Sequence, residues 1–245
     1  MNNNSKNPSQ ILKLFFFCFG EVFAVFSIIV FAIRGPWTRT AWAVLSVFML
    51  LIPMLSERIL RQKLSPQIYI LGLLYSLGPS LGHTYNLYNL FPWWDELLHF
   101  TGGIVFALLG FEIARKMNRD KNASSNLWIT ALFGVFFSIT LSVLWEFAEY
   151  GIDLVFGLDM QCDTVINYIS SYKLGAEQGI TGSITDINEV IVNGQPLNIG
   201  GYLDIGLHDT MTDLLSEALG AVISMIIFVV RKGRFGLFDK KAITR

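Results

Sequence analysis

The feature that most constrains this fold is a series of long apolar stretches that contain few charged residues. An α-helix needs about 20 mostly apolar residues to cross the roughly 30 Å hydrocarbon core of a bilayer. Six stretches of the 245-residue chain meet this requirement, at about 11–33, 40–55, 66–85, 94–115, 127–156 and 209–230. Only 15% of the residues are charged, whereas soluble domains usually carry about 25%. The sequence therefore predicts an all-α membrane protein with six transmembrane helices, forming one integral membrane domain over residues 1–245.

Two of these stretches have further features. The first follows the short polar segment MNNNSKNPSQ, is longer than the core of a signal peptide, and is not followed by a small-residue cleavage site. We therefore expect it to remain in the protein as a membrane helix. The third is interrupted by Gly78-Pro79-Ser80-Leu81-Gly82, which predicts a kink and a close approach of neighbouring helices.

The distribution of lysine and arginine orients the six helices, because these residues favour the cytoplasmic side of a membrane. With the N-terminus taken as cytoplasmic, 15 of the 18 Lys and Arg residues fall in cytoplasmic segments. These are Lys6, Lys13, Arg58, Arg61, Lys63, Arg115, Lys116, Arg119, Lys121, Arg231, Lys232, Arg234, Lys240, Lys241 and Arg245. The other three are Arg34, Arg39 and Lys173. This asymmetry predicts that both termini are cytoplasmic.

One outer connection, at about 157–208, is long enough to carry structure of its own. Its second half contains Asn193-Gly194 directly after the apolar pair Ile191-Val192. Asn-Gly between extended segments is typical of a β-hairpin with a type I′ turn, because both residues tolerate positive φ angles. We expect a small β-hairpin in this loop; a flexible surface loop is the alternative.

Polar residues gather at the outer ends of spans four, five and six, where charged side chains are costly and call for a partner or a function. Span four opens with Asp95 and His99, which are four residues apart and share one helix face. Two carboxylate stripes at helical spacing follow, Glu146, Glu149 and Asp153 on span five and Asp209, Asp213 and Glu217 on span six.

The predicted orientation places these helix ends on the same side of the membrane. The three histidines of the chain, His83, His99 and His208, fall at that level as well. At 1.5 Å per residue, Glu146 lies roughly 10–15 Å and Asp213 roughly 6 Å below the outer end of its helix. We therefore expect one polar pocket in the outer leaflet.

Simpler roles are open for several of these residues. Three tryptophans near the helix ends are typical of the aromatic belt at a membrane interface, Trp93, Trp94 and Trp145. Asp95 or Asp209 could be a helix N-cap, and Asp153 a solvated end residue. Glu146 and Glu149 lie within an apolar helix, where the alternative is a structural hydrogen bond.

So many carboxylates in one pocket would repel one another unless they share protons or bind a cation. Carboxylate oxygens together with imidazole suit Zn²⁺, Mn²⁺, Fe²⁺ or Mg²⁺, and the Glu-x-x-Glu and Asp-x-x-x-His spacings resemble helix-borne metal sites. The sequence predicts a divalent metal site of open identity, with the ligands Asp95, His99, Glu146, Glu149, Asp153, Asp209 and Asp213.

Four short motifs carry a family resemblance. They are the D-x-x-x-H of Asp95 and His99, the E-x-x-E-x-x-x-D that begins at Glu146, the G-x-D-x-Q that begins at Gly157, and the D-T-x-x-D-L that begins at Asp209. Over about 93–221 the chain resembles an uncharacterised family of bacterial inner-membrane proteins typified by YjdF. The resemblance implies a multi-pass protein of the bacterial cytoplasmic membrane and brings no established reaction with it.

The predicted site fits two classes of function. The first is a metal-dependent enzyme, a hydrolase or transferase, that acts on a lipid or envelope substrate with a metal-bound water as nucleophile. Glu146 and Glu149 would be its catalytic residues, and the long outer loop its lid. The alternative is a cation transporter or sensor, or a structural or assembly protein.

A transporter needs an ionisable path to the cytoplasm. Below Glu146 and Glu217 the sequence offers only Glu21 for such a path, which favours the enzyme. Apart from the lipid bilayer and this substrate, no partner is predicted, and a formal net charge of −1 gives no reason to expect nucleic acid.

Overall fold

The computed structural model describes residues 8–119 and 126–234 of the chain. The helices within them are α1 Pro8–Arg34, α2 Trp37–Met49, α3 Ile52–Leu60, α4 Pro66–Tyr85, α5 Leu87–Leu90, α6 Trp94–Arg119, α7 Leu127–Phe156 and α8 Leu207–Val230. The strands are β1 Val165–Ile166, β2 Ile169–Ser171, β3 Gly182–Ile184, β4 Ile191–Val192, β5 Gln195–Pro196 and β6 Tyr202–Leu203. Five of the charges used for orientation lie outside the described residues, namely Lys6, Lys121, Lys240, Lys241 and Arg245.

Among the described residues, five helical segments are long and apolar enough to cross a membrane. They are Pro8–Arg34, Trp37–Ile59, Trp94–Met117, Leu127–Phe156 and Leu207–Val230. These segments confirm the expected helical protein with several apolar spans. The stretch expected as span three also forms a helix, α4, but α4 is not among the five. Six spans therefore stay a prediction that depends on α4.

The exterior of the helices is apolar, which is the reverse of a soluble protein and suits a surface in contact with lipid. In α1, the side chains of Phe15, Phe19, Val22 and Ile33 are each more than 60% exposed. The buried positions of the same helix are instead small or polar, at Lys13, Gly20, Ala24 and Ser27.

The stretch expected as the second span consists of two helices in series. α2 ends at Met49, and α3 begins at Ile52 with Pro53 in its first turn. Proline has no backbone N–H to donate to the preceding turn, but it is tolerated at the start of a helix. The break before Pro53 follows from this local chemistry.

The chain divides into two compact units, Met1–Ser142 with Leu215–Arg245, and Val143–Leu214. In the first unit, α4 packs against α1, α2, α3 and α6. The buried core of this unit is apolar and includes Leu50, Leu73, Leu108, Phe111 and Phe228. In α4, Gly78 lies under Leu98 of α6, where a Cβ atom would come within 2.1 Å of Leu98 Cδ2. The close helix approach expected at Gly78 is thus present.

Glycines also bring α8 against α6 in the first unit. A Cβ atom on Gly103 would lie 2.1 Å from the backbone oxygen of Glu217, and one on Gly220 would lie 2.1 Å from the backbone oxygen of Phe100. Neither position has room for a side chain, because real Cβ atoms do not approach a backbone oxygen so closely. The two helix backbones are in direct contact here, as is common for small residues in membrane helices.

A buried ion pair joins the start of α1 to the connection between α3 and α4. Lys13 Nζ donates to Glu57 Oε1 at 2.7 Å and also to the carbonyl of Leu64. Glu57 accepts two more hydrogen bonds, from the Leu64 N–H at 2.9 Å and from Lys63 Nζ at 2.9 Å. Lys13 and Glu57 are each 8% exposed. The cluster places the start of α1 beside the α3–α4 connection, as expected when the first and second spans run in opposite directions.

In the second unit, the connection between α7 and α8 contains three antiparallel strand pairs, β1 with β6, β2 with β3, and β4 with β5. The expected hairpin is confirmed: Val192 pairs with Gln195 across Asn193 and Gly194. The φ angles of these two turn residues are 53° and 78°, and both are positive as a type I′ turn requires.

Candidate functional site

In the first unit, His99 is the centre of a buried polar cluster near the start of α6. His99 is 7% exposed. One turn earlier on the helix, Asp95 places Oδ1 3.8 Å from His99 Nε2. The indole N–H of Trp94 donates to the carbonyl of Gly78 at 3.2 Å and fixes this end of α6 against α4.

The second partner of His99 comes from α8. Glu217 Oε2 lies 3.7 Å from His99 Nδ1, so the two ring nitrogens face two different carboxylates. The hydroxyl of Ser138 on α7 donates to Glu217 Oε1 at 3.0 Å, with the carbonyl of Gly103 as a second acceptor at 3.3 Å. Ser138 is fully buried and Glu217 is 2% exposed. Three helices therefore supply the cluster.

Electrostatically, the cluster has an excess of negative groups. A protonated imidazole could neutralise one carboxylate, and the second would remain buried without an opposing charge. Such an arrangement is unfavourable unless protons or a cation restore the balance. A carboxylate oxygen beside an imidazole nitrogen is also a ligand pair that divalent transition metals accept.

Beyond the cluster, toward the other ends of α6, α7 and α8, the sequence has no ionisable side chain for long distances. The intervals 100–111 on α6, 128–145 on α7 and 218–230 on α8 contain no Asp, Glu, Lys, Arg or His. At this depth Phe111 packs against Phe228 with ring centroids 4.4 Å apart, and the buried polar side chains of Thr130, Ser142 and Ser224 carry no charge. The twelve residues of the α6 interval correspond to about 18 Å along the helix.

In the second unit, three of the predicted ligands are almost fully buried. Glu146 is 4%, Glu149 6% and Asp213 1% exposed, and Asp209 is half-buried. The indole N–H of Trp145 donates to Glu149 Oε1 at 2.8 Å. Burial of carboxylates in an apolar helix is costly, which agrees with the expectation that Glu146 and Glu149 are more than surface groups.

Two of the simpler roles considered above find no support. Asp95 is the second residue of α6 and Asp209 the third residue of α8, so both lie in a first helical turn and neither is an N-cap. A carboxylate in this position still interacts favourably with the helix dipole.

Asp153 anchors the loop that follows α7. Its Oδ1 accepts the backbone N–H of Met160 at 2.7 Å, and its Oδ2 accepts that of Gln161 at 2.9 Å. Asp153 is thus not a solvated end residue, because both of its carboxylate oxygens accept hydrogen bonds. Its role as a metal ligand stays a prediction, and it would compete with these two hydrogen bonds.

The other two histidines have different surroundings from His99. His83, at the end of α4, stacks on Trp42 with ring centroids 4.0 Å apart, and its ring is tilted by 57° to that of Tyr88 at a centroid distance of 4.9 Å. His208 is exposed at the start of α8.

Two residues that were not expected to have a role, Asp204 and Ser138, form hydrogen bonds that organise the structure around the predicted site. Asp204 accepts backbone N–H groups of Thr164 at 2.9 Å, Gly206 at 3.3 Å and His208 at 2.7 Å, and so ties β1 to the start of α8. An Asp shortly before a helix is a recognisable capping signal. Ser138 had no such signal, because its role depends on the distant Glu217.

Comparison with known proteins assigns the family. Residues 14–234 match the family described as "Predicted membrane protein (DUF2238)", and since this is most of the chain, the chain belongs to that family. This agrees with the expectation of an uncharacterised membrane family, while the link to YjdF stays a prediction. No curated protein and no solved structure matches the chain.

Proposed function

We propose that this DUF2238 membrane protein binds a divalent metal ion at the Asp95 end of α6 and acts as a metal-dependent enzyme on a lipid or envelope substrate. The observation that supports it is the buried His99, which has Asp95 at 3.8 Å from one ring nitrogen and Glu217 at 3.7 Å from the other. Metal-binding histidines commonly have a carboxylate at the nitrogen that does not bind the metal.

The donor set limits the metal. An imidazole nitrogen and carboxylate oxygens suit Zn²⁺, Mn²⁺ or Fe²⁺, and an oxygen-rich set also suits Mg²⁺. Asp95 and His99 alone do not complete a coordination sphere. The other carboxylates predicted from the sequence as ligands are Glu146, Glu149, Asp153, Asp209 and Asp213, and the metal content of their variants tests this prediction.

When bound, the metal would supply a water of lowered pKa as the nucleophile for hydrolysis or transfer. The protein would contribute a general base, for which Glu146 and Glu149 are the candidates, because both are carboxylates buried in α7. A substrate that reaches a site between membrane helices is most simply a lipid or a lipid-linked envelope component.

An enzyme fits the structure better than a transporter does. We expect a transported cation or proton to need ionisable groups along its path. α6, α7 and α8 have no ionisable side chain over the intervals 100–111, 128–145 and 218–230, where Phe111 packs against Phe228. A site that opens to one side of the membrane is expected to do chemistry there rather than to pass ions.

We also propose six spans, with α4 as the third and both termini cytoplasmic. α4 contacts α1, α2, α3 and α6, and its 20 residues rise about 30 Å, enough to cross a bilayer core. A helix surrounded by other helices needs less apolar surface than one that faces lipid. The site would then face the outer side of a bacterial cytoplasmic membrane.

The metal proposal is tested by metal analysis of protein purified without chelators, with His99→Ala and Asp95→Asn as variants. We expect about one metal ion per chain in the wild type and at least a tenfold weaker affinity in each variant, since each loses a direct ligand. His208→Ala is the matched control, because it removes an exposed histidine and should keep the metal. A wild type without metal at useful stoichiometry would refute the proposal.

The orientation is tested by labelling single cysteines with an impermeant reagent in a background that lacks Cys18 and Cys162. Cysteines at Asn89 and Ser183 should react in intact cells, and cysteines at Arg58 and Asn126 should react only after the cells are opened; all four positions are exposed. Equal labelling at Arg58 and Asn89 in intact cells would show that α4 does not span.

A further inference from the structure

We infer that Glu217 is a positioning residue for the proposed metal site: its carboxylate faces Nδ1 of His99 at 3.7 Å, so that Nδ1 carries the imidazole proton and Nε2, on the Asp95 side, is the nitrogen that binds the metal. This inference deepens the proposed function and rests on it. Glu217 was expected on the same helix face as Asp209 and Asp213, without a role of its own.

The geometry of the imidazole is the first argument. Its two nitrogens point in different directions, so each faces a different carboxylate. Nδ1 lies 3.7 Å from Glu217, and Nε2 lies 3.8 Å from Asp95. A neutral imidazole has one N–H and one lone pair, and only the lone pair binds a metal. The protein must therefore assign the proton to one of the two nitrogens.

Burial decides between the two carboxylates. The side chain of Glu217 is 3% exposed and that of Asp95 is 20% exposed. Water competes least for the more buried group, so Glu217 is the stronger local acceptor for the imidazole proton. Asp95 is the more accessible of the two and can be reached by a metal ion that enters from outside the cluster.

The carboxylate of Glu217 is also held by a second residue, Ser138. The Ser138 hydroxyl donates to Oε1 at 3.0 Å and leaves Oε2 directed at His99. Its backbone is held as well, because Gly103, one turn after His99 on α6, allows the Glu217 carbonyl to approach to a distance that no Cβ atom would permit. A carboxylate that is oriented by a serine, and that in turn orients a histidine, matches the outer shell of many metal sites.

The first test asks which nitrogen binds the metal. The chain has three histidines, so ¹⁵N-histidine labelling gives a simple spectrum that His83→Gln and His208→Ala assign. With ¹¹³Cd²⁺ as the probe, we expect ¹⁵N–¹¹³Cd coupling at Nε2 of His99 and a retained proton on Nδ1. Coupling at Nδ1 would overturn the inference. Failure to bind Cd²⁺ and Zn²⁺ at all would instead overturn the proposed function.

The second test compares metal affinity in Glu217→Gln, Glu217→Leu and Ser138→Ala, with Glu112→Gln as a control at the other end of α6. Loss of an outer-shell partner typically weakens metal binding by about 10–100-fold. We expect a loss of that size for Glu217→Leu, a smaller one for Glu217→Gln, which keeps an acceptor but not the charge, and the smallest for Ser138→Ala. Affinity in the control should not change.

A purely structural role for Glu217 predicts a different pattern. Thermal unfolding of the metal-free proteins would then fall in Glu217→Leu while the metal affinity of its folded fraction stayed at the wild-type value, and that result would refute the inference. If Glu217→Leu does not fold, Ser138→Ala and the nitrogen assignment in the wild type still decide it. The inference would be refuted if Ser138→Ala bound metal with wild-type affinity and the metal in the wild-type protein were bound to Nδ1 of His99.

Discussion

Two groups of buried ionisable side chains lie in the first unit, and they differ in how completely their charges and hydrogen bonds are matched. Around Glu57, two lysines face one carboxylate, and all contacts are short. Lys13 lies at 2.7 Å, and Lys63 and the Leu64 N–H each lie at 2.9 Å. Around His99, two carboxylates face one imidazole, and the separations are 3.7 and 3.8 Å.

The difference separates a structural cluster from a candidate binding site. At Glu57 each buried group already has a partner inside the protein, so an added ligand would have nothing to satisfy. At His99 two carboxylates face one imidazole, at 3.7 and 3.8 Å, so the negative groups are in excess. Burial of charge is costly in both places, but only the second arrangement is improved by a cation. Charge balance is thus more informative than the presence of buried charge.

The largest expected effect is at Glu57. Glu57→Gln leaves Lys13 buried without its counter-charge, and removal of one partner of a buried pair typically costs about 3–5 kcal/mol. The free energy of unfolding in mixed detergent micelles measures it. Glu217→Gln should cost clearly less in metal-free protein, because it removes part of an excess of negative charge. A larger loss at Glu217 than at Glu57 would contradict the comparison.

A double variant sharpens this result. The double variant Lys13→Met, Glu57→Met should be more stable than Glu57→Gln alone. It removes both members of the buried ion pair and so leaves no unmatched charge in the core. If the double variant instead loses as much as its two single variants together, the residues act independently and the cluster is not a coupled unit.

A smaller effect is expected where α8 touches α6. Gly103→Ala places a methyl group 2.1 Å from the Glu217 carbonyl oxygen, and overpacking of this kind typically costs about 1–3 kcal/mol. The shift of Glu217 away from His99 should also weaken metal binding. Gly102→Ala is the matched control, since its methyl group meets the Tyr75 hydroxyl at 3.2 Å, where a side chain can move. Equal effects of the two changes would argue against a close helix contact.

The smallest expected effect extends the comparison to a carboxylate outside the membrane. Partial burial raises the pKa of Asp204, but the backbone N–H groups of His208, Thr164 and Gly206 outweigh it and hold the pKa below its ordinary value. A lowered pKa stabilises the folded state above the ordinary Asp pKa of about 3.9, and this stabilisation is lost as the pH falls through the folded-state pKa. The protection of the His208 and Gly206 amides from hydrogen exchange, relative to the intrinsic rate at each pH, should therefore fall on acidification.

Asp163 provides a control, because its pKa is shifted in the opposite direction from that of Asp204. Burial, followed by the carboxylates of Asp159, Asp204 and Asp153, raises its pKa. Its charged form is unfavourable at neutral pH, so Asp163→Asn should slow amide hydrogen exchange in the same loop. Asp204→Ala should speed this exchange, because it removes a helix cap at a cost of about 1 kcal/mol. A change in the same direction for both variants would refute this assignment.

Features that depend on local chemistry could be predicted from the sequence. The apolar stretches are helical, and α7 runs from Leu127 to Phe156 as predicted, although the stretch expected at 40–55 is broken into α2 and α3. Asn193-Gly194 formed its hairpin, because the turn needs only two residues that accept positive φ. Asp95 and His99 lie together for the same reason, since four residues make about one helical turn.

The tertiary structure alone decided the contacts between residues that are far apart in the chain. Lys13 was counted only as a cytoplasmic charge, yet its partner is Glu57, 44 residues away. Ser138 reaches Glu217 across 79 residues. Helical periodicity shows which residues share a face, but it does not show which face of another helix lies opposite. That choice depends on how side chains pack and on where glycines let two backbones touch.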